Sequence, residues 1–129
     1  MQPTDIDTIR GAYSAFGEGN IPAVLNALDE NIVWTVPPVD GWGGTLEGKE
    51  SVLGFFAQLG GRYGPWTLNT EEFLDAGDRL LVLGHHEYPD GDRIPFAHIW
   101  TTRAGRAATF DEYVDNVALL RHVIAAPVS

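Results

Sequence analysis

The sequence contains no cysteine and a single methionine, and basic residues are scarce: 8 against 18 acids, a formal net charge of −10 at pH 7. Without cysteine there is no disulfide, no thiolate metal site and no cysteine nucleophile, and the expected location is the cytoplasm. A surface this acidic repels phosphate backbones and anionic headgroups, so neither nucleic acid nor a membrane is an expected partner. No stretch approaches the ~20 apolar residues needed to span a bilayer. "MQPTDIDTIR" at the N-terminus is acidic and amphipathic, with no basic segment leading into an apolar run, so no secretory leader is read in it.

What is present is an ordinary globular balance, 44% hydrophobic and 20% charged residues over a length of 129. That suits one domain, taken as residues 1–129, able to bury roughly two thirds of its unfolded surface. No internal repeat, linker or low-complexity segment interrupts it.

"TDIDTIRGAYSAFGEGN" predicts a first helix, capped by Thr4 with Asp7 three residues on, its apolar stripe formed by Ile6, Ile9, Tyr13 and Phe16. Asn20 opens a short second helix with Pro22 in its first turn and Val24, Leu25 and Leu28 inward. "NIVWTV" reads as a strand closed by Pro37 and Pro38, followed by a turn-rich loop, "PPVDGWGGTLEG". "KESVLGFFAQLGG" is a third helix stopped by Gly60–Gly61, with Val52, Phe55, Phe56 and Leu59 inward. The period then changes from 3.6 to 2, giving four strands near Trp66–Leu74, Arg79–Tyr88, Ile94–Thr102 and Ala107–Asp115 with short glycine-bearing links. One helical turn is expected after Asn116. Helices followed by an antiparallel meander give an α+β fold: a long twisted sheet curls into a cone, and helices laid on its concave side leave a funnel suited to a small molecule.

Facing follows from the hairpins. If "RAGR" closes with Arg103 opposite Ala107, Trp100 faces Phe110, His98 faces Glu112 and Phe96 faces Val114, all on one side. A two-residue loop would instead set His98 against Asp111. The hairpin at "PDGD" is taken to bring His85 near His98 and Glu87 near Phe96, with Leu81 and Leu83 on the same face and His86 and Tyr88 outward. The result is a polar row, His85, His98 and Glu112 with Glu87 at one end, walled by Trp34, Phe96, Trp100 and Phe110. One His–Glu pair could be no more than a satisfied buried contact. It would leave His85 and Glu87 unexplained, because buried polar groups must be paired or wet. A metal held by His85, His98 and Glu112 is a known ligand set, but no compact spacing supports it, and neither metal nor cofactor is expected.

The stretches "NIVWTVPP", "LEGKESVLGFF" and "IPFAHIWTTRAGRAATFDEYVDN", with the N-terminal helix pair, cover about residues 4–122. They resemble the nuclear transport factor 2-like superfamily, and within it the SnoaL-like group that includes polyketide cyclases and ketosteroid isomerases. The resemblance implies the same cone-shaped fold and leaves function open, since one fold hosts many activities. It places Tyr13 at the oxyanion-hole tyrosine of the isomerases and His98 near their oxyanion-hole acid. Their general base would fall at Val36, which cannot move a proton, so a faithful ketosteroid isomerase is not expected. Glu112 with His98 resembles the carboxylate–histidine pair of the cyclases; Asp115 is the other acid of that strand. The Asp–Arg–Asp triad of related epoxide hydrolases finds no inward arginine.

Two readings result. As an enzyme, the protein would move a proton on a hydrophobic carbonyl compound, with Glu112 as base, its pKa raised by a dry pocket. His98 and His85 would orient it or donate to an enolate, and Tyr13 would be a further donor. Val36, Phe56, Leu83 and Val114 join the aromatic walls. As a binding domain, it would use the same row for recognition alone. The convex face, with Ala97, Ile99, Thr101 and Tyr113 on it, is too apolar for water alone, and a twofold homodimer is expected through it.

Overall fold

The computed structural model describes residues 1–39 and 42–122. Its elements are α1 (Pro3–Gly17), α2 (Ile21–Asn26), β1 (Leu28–Val39), β2 (Trp42–Glu47), α3 (Lys49–Tyr63), β3 (Thr67–Asp75), β4 (Leu80–Glu87), β5 (Arg93–Arg103), β6 (Arg106–Val114) and α4 (Asn116–Leu120). The six strands form one curled, unclosed sheet in the order β2-β1-β6-β5-β4-β3, with the helices packed against it. All neighbours are antiparallel except β1 and β6, which run parallel.

Several local expectations are corrected. Thr4 does not cap α1: the helix begins at Pro3 after Gln2, and Thr4 lies in its first turn, its carbonyl accepting from Thr8 Oγ1 at 3.0 Å. Proline fits there because the first helical N–H has no partner to lose. Asn20 does cap α2, its side chain accepting from the Ala23 amide at 3.2 Å. Leu28, expected on α2, starts β1 and is fully buried.

The segment read as a loop is mostly a hairpin, β1 continuing through Pro37–Pro38 into β2. The prolines are tolerated because the ladder to β6 has ended at Thr35 and that to β2 shifts between Val36 and Val39. Trp42 falls within β2, but its side chain lies outside the described residues. Gly60–Gly61 does not stop α3, which runs on to Tyr63 and ends where Gly64 turns at φ 74°. Burial of Val52 on one face is what holds this helix despite its glycines.

The core lies between α1, α3 and the concave face of the sheet. Ile9, Leu28, Ile32, Val52, Leu80 and Val82 are essentially fully buried, each contributing roughly 1.5–3 kcal/mol. A smaller cluster of Tyr88, Ile94 and Leu119 seats α4 against the sheet. Asp115, expected on the last strand, lies just past β6 and caps α4 instead, accepting from the Ala118 amide at 3.0 Å.

Candidate functional site

β5 and β6 supply the centre of the site. Phe96 is opposite Val114, His98 opposite Glu112 and Trp100 opposite Phe110, as the sequence pattern predicts. The route to that register differs. Arg103 pairs with Arg106 across a two-residue turn, Ala104–Gly105, both at positive φ (52° and 80°). Continued regularly, this turn would set His98 against Asp111. Between the pairs Thr102–Ala107 and Thr101–Thr109 the ladder takes in one extra residue, Ala108, and the bulge restores the partnership with Glu112. Ala107 and Ala108 are both buried, small enough to tolerate the broken alternation.

The β4–β5 hairpin corrects the polar row. Its tip is Pro89–Asp90–Gly91, closed by the Tyr88 amide donating to the Asp92 carbonyl at 2.9 Å, with Gly91 at φ 91°. Val82 therefore pairs with His98, Gly84 with Phe96 and His86 with Ile94. A register displaced by an odd number of residues turns every side chain over. Leu80, Val82, His86 and Tyr88 are the buried set, while Leu83, His85 and Glu87 lie on the other face. His85 bonds Glu71 there (Nδ1···Oε1 2.6 Å), and Glu87 accepts from Arg93 Nε at 2.8 Å. The three-ligand set of His85, His98 and Glu112 is thereby broken up. His86, expected at the surface, is 6% exposed and belongs to the site.

Four elements converge on one hydrogen-bonded chain. Glu112 Oε2 lies 2.8 Å from His98 Nε2 and 3.2 Å from His86 Nε2. Tyr13, brought in by α1, sets its hydroxyl 2.5 Å from His98 Nδ1 and accepts from Trp100 Nε1 at 2.9 Å. Burial alone would raise the Glu112 carboxyl, yet the hydrogen bonds from His86 and His98 together outweigh it and hold it at about 2. The expected upward shift is reversed because two imidazole N–H groups replace the lost water. Burial lowers the His98 imidazole, and the pull of Glu112 does not cancel it. Burial also pushes the Tyr13 hydroxyl upward, so it keeps its proton.

These directions fix the protons. An ionised carboxylate only accepts, so neutral His98 carries its hydrogen on Nε2 and offers Nδ1 as an acceptor. Tyr13 already accepts from Trp100 and gives its own proton to His98. His86 also donates from Nε2 to Glu112. Among the described residues, His86 Nδ1, Trp34 Nε1 and Tyr88 OH are the sealed side-chain polar atoms without a partner. Both hydrogen bonds to Glu112 fall on Oε2; Oε1 accepts none among the described residues.

Around this chain lies an apolar cavity of about 70 Å³. Tyr13, Trp34, Val36, Phe56, Trp100 and Phe110 line it with His98 and Glu112, and so do Phe16, Trp66 and His86. No arginine is among these lining residues. Phe96 stands behind the wall, its ring stacked on His98 at 3.9 Å, and Val114 packs against the Tyr88–Ile94 cluster instead. The volume is below the ~300 Å³ at which drug-sized pockets begin. Outside it, an open depression of about 270 Å³ shares Phe16, Phe56, Leu59 and Trp66 with the inner space, so these side chains form the partition.

Residues 9–110 match the family described as a SnoaL-like domain. The chain belongs to that family. Among solved structures, this SnoaL-like chain is similar to a nuclear transport factor 2-like protein of unknown function from Burkholderia pseudomallei: 30% identity over 96% of this chain and 100% of that one, TM-score 0.86. It is similar also to TerC co-crystallized with polyporic acid (28% identity, 92% of this chain, 97% of that one, TM-score 0.84). A protein proposed to be a polyketide cyclase, from Sinorhizobium meliloti, shares the fold at 16% identity over 83% of this chain and 94% of that one, TM-score 0.71. No curated protein matches the chain.

Within the SnoaL-like frame, the site residue that sequence reasoning put on the wrong face is His86. Trp66, which the sequence left open between a cavity lid, a dimer contact and edge packing, lines the cavity. It sets its ring edge-on to His86 at 4.5 Å and stacks on Phe16 at 5.9 Å, so it packs directly against that imidazole. The signal that finds His86 is Gly91: a glycine third in "PDG" marks a three-residue loop and fixes Tyr88 opposite Asp92.

Proposed function

We propose that this chain binds a small hydrophobic carbonyl compound between α1, α3 and the sheet and moves a proton on it without a cofactor. The observation that supports this is a carboxylate held ionised inside an aromatic cavity by two imidazoles, one of which keeps an unpartnered nitrogen. A carboxyl held at about 2 is itself a weak base. His86, oriented by Glu112 through Nε2, presents Nδ1 to the ligand's proton, and the carboxylate stabilises the imidazolium that forms. His98 and Tyr13 position Glu112 and donate nothing to the ligand, because their hydrogens are committed. The aromatic partition must part for a ligand larger than the cavity to enter.

The test is exchange of the hydrogens next to a carbonyl in heavy water, followed by NMR for a panel of apolar ketones. Acceleration by the wild type, reduced about 10²–10⁴-fold in His86→Gln, is the expected result. Activity persisting to about pH 3 would name Glu112 as the base instead. No exchange with any ketone, together with binding, would make this a non-catalytic binding domain. Polyporic acid is the first ligand to offer in a binding assay, given the likeness to TerC.

None of the helices among the described residues is long and apolar enough to cross a membrane; a cytoplasmic location rests on the missing cysteines. A homodimer through the convex face is also proposed, where Tyr113 is 61% exposed. Sedimentation of wild type against Tyr113→Asp tests it.

A further inference from the structure

We propose that the indole N–H of Trp34 is the donor that holds the ligand's oxygen, so that the ligand presents a bare acceptor, a carbonyl, to β1. The inference rests on the reading above that the cavity takes a small carbonyl compound.

It follows from counting hydrogens in the cavity. Trp100 gives its N–H to Tyr13, Tyr13 gives its O–H to His98, and both imidazoles give their N–H groups to Glu112. Trp66 also lines the cavity with an indole N–H that bonds nothing among the described residues, but it is only half-buried. The lining donor that is both unpartnered and sealed from water is Trp34 Nε1. Trp34 is 6% exposed, and its Nε1 is sealed from water. A buried donor left unpaired costs about 1–3 kcal/mol, which is why such groups point to a partner the empty site does not hold.

The indole is also held rigidly. It stacks on Phe110 at 3.9 Å and meets Phe56 and Trp100 edge-on at 5.4 and 5.8 Å, three rings from three different elements. The parallel register sets Trp34 beside Phe110, two residues along β6 from Glu112 and on the same face. The cavity thus sets one sealed, unpartnered donor, Trp34 Nε1, on the same lining as two unpartnered atoms, His86 Nδ1 and Glu112 Oε1. A carbonyl oxygen with an acidic hydrogen on the neighbouring carbon complements that set; an alkene of the same shape does not.

The experiment titrates ¹⁵N-labelled full chain with cyclohexanone and with methylenecyclohexane, a near-isostere lacking the oxygen. Both are small because the cavity is about 70 Å³. Expected: the ketone moves the Trp34 indole resonance downfield and binds Trp34→Phe about tenfold more weakly, the worth of one hydrogen bond. The alkene binds both proteins alike. If both compounds bind but the ketone leaves the indole resonance in place, or loses no affinity in Trp34→Phe, the donor assignment fails while the small-molecule site stands. If neither binds the wild type, the site reading fails and takes this inference with it. Should Trp34→Phe not fold, the wild-type indole resonance alone decides.

Discussion

Glu112 receives both of its histidines on one oxygen: His98 Nε2 lies 2.8 Å and His86 Nε2 lies 3.2 Å from Oε2. The charge on that carboxylate is what keeps both imidazoles turned with their N–H groups inward. Glu112→Gln removes the charge and adds two amide hydrogens with no acceptor nearby. A loss of about 1–3 kcal/mol is expected in urea unfolding at pH 7, with an unchanged m-value. A variant as stable as the wild type would mean that the two hydrogen bonds only repay the cost of burying the carboxylate.

Stability should fall on acidification in two overlapping stages. His98 is lowered in the fold, so below about pH 6.5 the unfolded chain takes up a proton that the folded chain resists. Glu112 is also lowered, from 4.5 to about 2, so its contribution is complete above about pH 4.5 and is lost as pH falls towards 2. For Glu112 alone the stage is worth about 3 kcal/mol. Tyr13 and Tyr88 are raised, Tyr88 to about 12, so stability should also decline once pH passes about 10. Urea midpoints from pH 2 to 11 would trace a plateau with two falling sides. A flat profile between pH 7 and 5 would speak against a neutral His98.

Tyr13 joins two groups that have no other partner among the described residues, Trp100 Nε1 and His98 Nδ1. Tyr13→Phe keeps the ring but strands a buried donor and a buried acceptor. The expected loss is about 2–4 kcal/mol by thermal or chemical unfolding. Its effect on proton exchange should be smaller than that of His86→Gln, since Tyr13 acts through His98 and Glu112. Equal loss of activity in the two variants would place Tyr13 against the ligand.

Gly84 and Gly54 make opposite predictions for the same change. A Cβ on Gly84 would stand 2.0 Å from the Asn69 carbonyl oxygen and 2.7 Å from the Phe96 ring. β3 would have to move, or Phe96 would tip off His98, so Gly84→Ala should cost more than about 2 kcal/mol. Gly54 lies inside α3 with nothing within 4 Å of the added atom. Gly54→Ala should stabilise by about 0.5–1 kcal/mol. Melting temperatures of the two variants test both; a tolerated Gly84→Ala would mean that β3 is free to shift.

The alternation in "PFAHIWTTRAGRAATFDEYV" sets Phe96, His98 and Trp100 on one face of β5 and Phe110 and Glu112 on one face of β6. The partnership of the two faces, however, was reached through a wrong turn, Arg103 with Ala107, that the bulge at Ala108 happens to offset. In β4 that cue is missing. Leu80 and Val82 alternate with Leu81 and Leu83, so both faces look equally apolar and only the loop decides between His85 and His86. The parallel pairing of β1 with β6 was not legible either, since nothing local in "NIVWTV" records a neighbour some 75 residues away. The direction of the Glu112 shift depended on the same detail: with His85 in the row, the carboxyl has one certain imidazole partner, and with His86 it has two.

Ala108 sets the phase of β6. In the phase that the Ala104–Gly105 turn would impose by itself, Asp111 would face His98 and Glu112 would lie on the convex side. One surplus residue at the bulge delays the strand by half a period, and every side chain after it is read on the opposite beat. Which acid serves the histidines is therefore decided at a pair of alanines that touch neither of them, and a change there would exchange the pocket's carboxylate without altering any residue of the pocket.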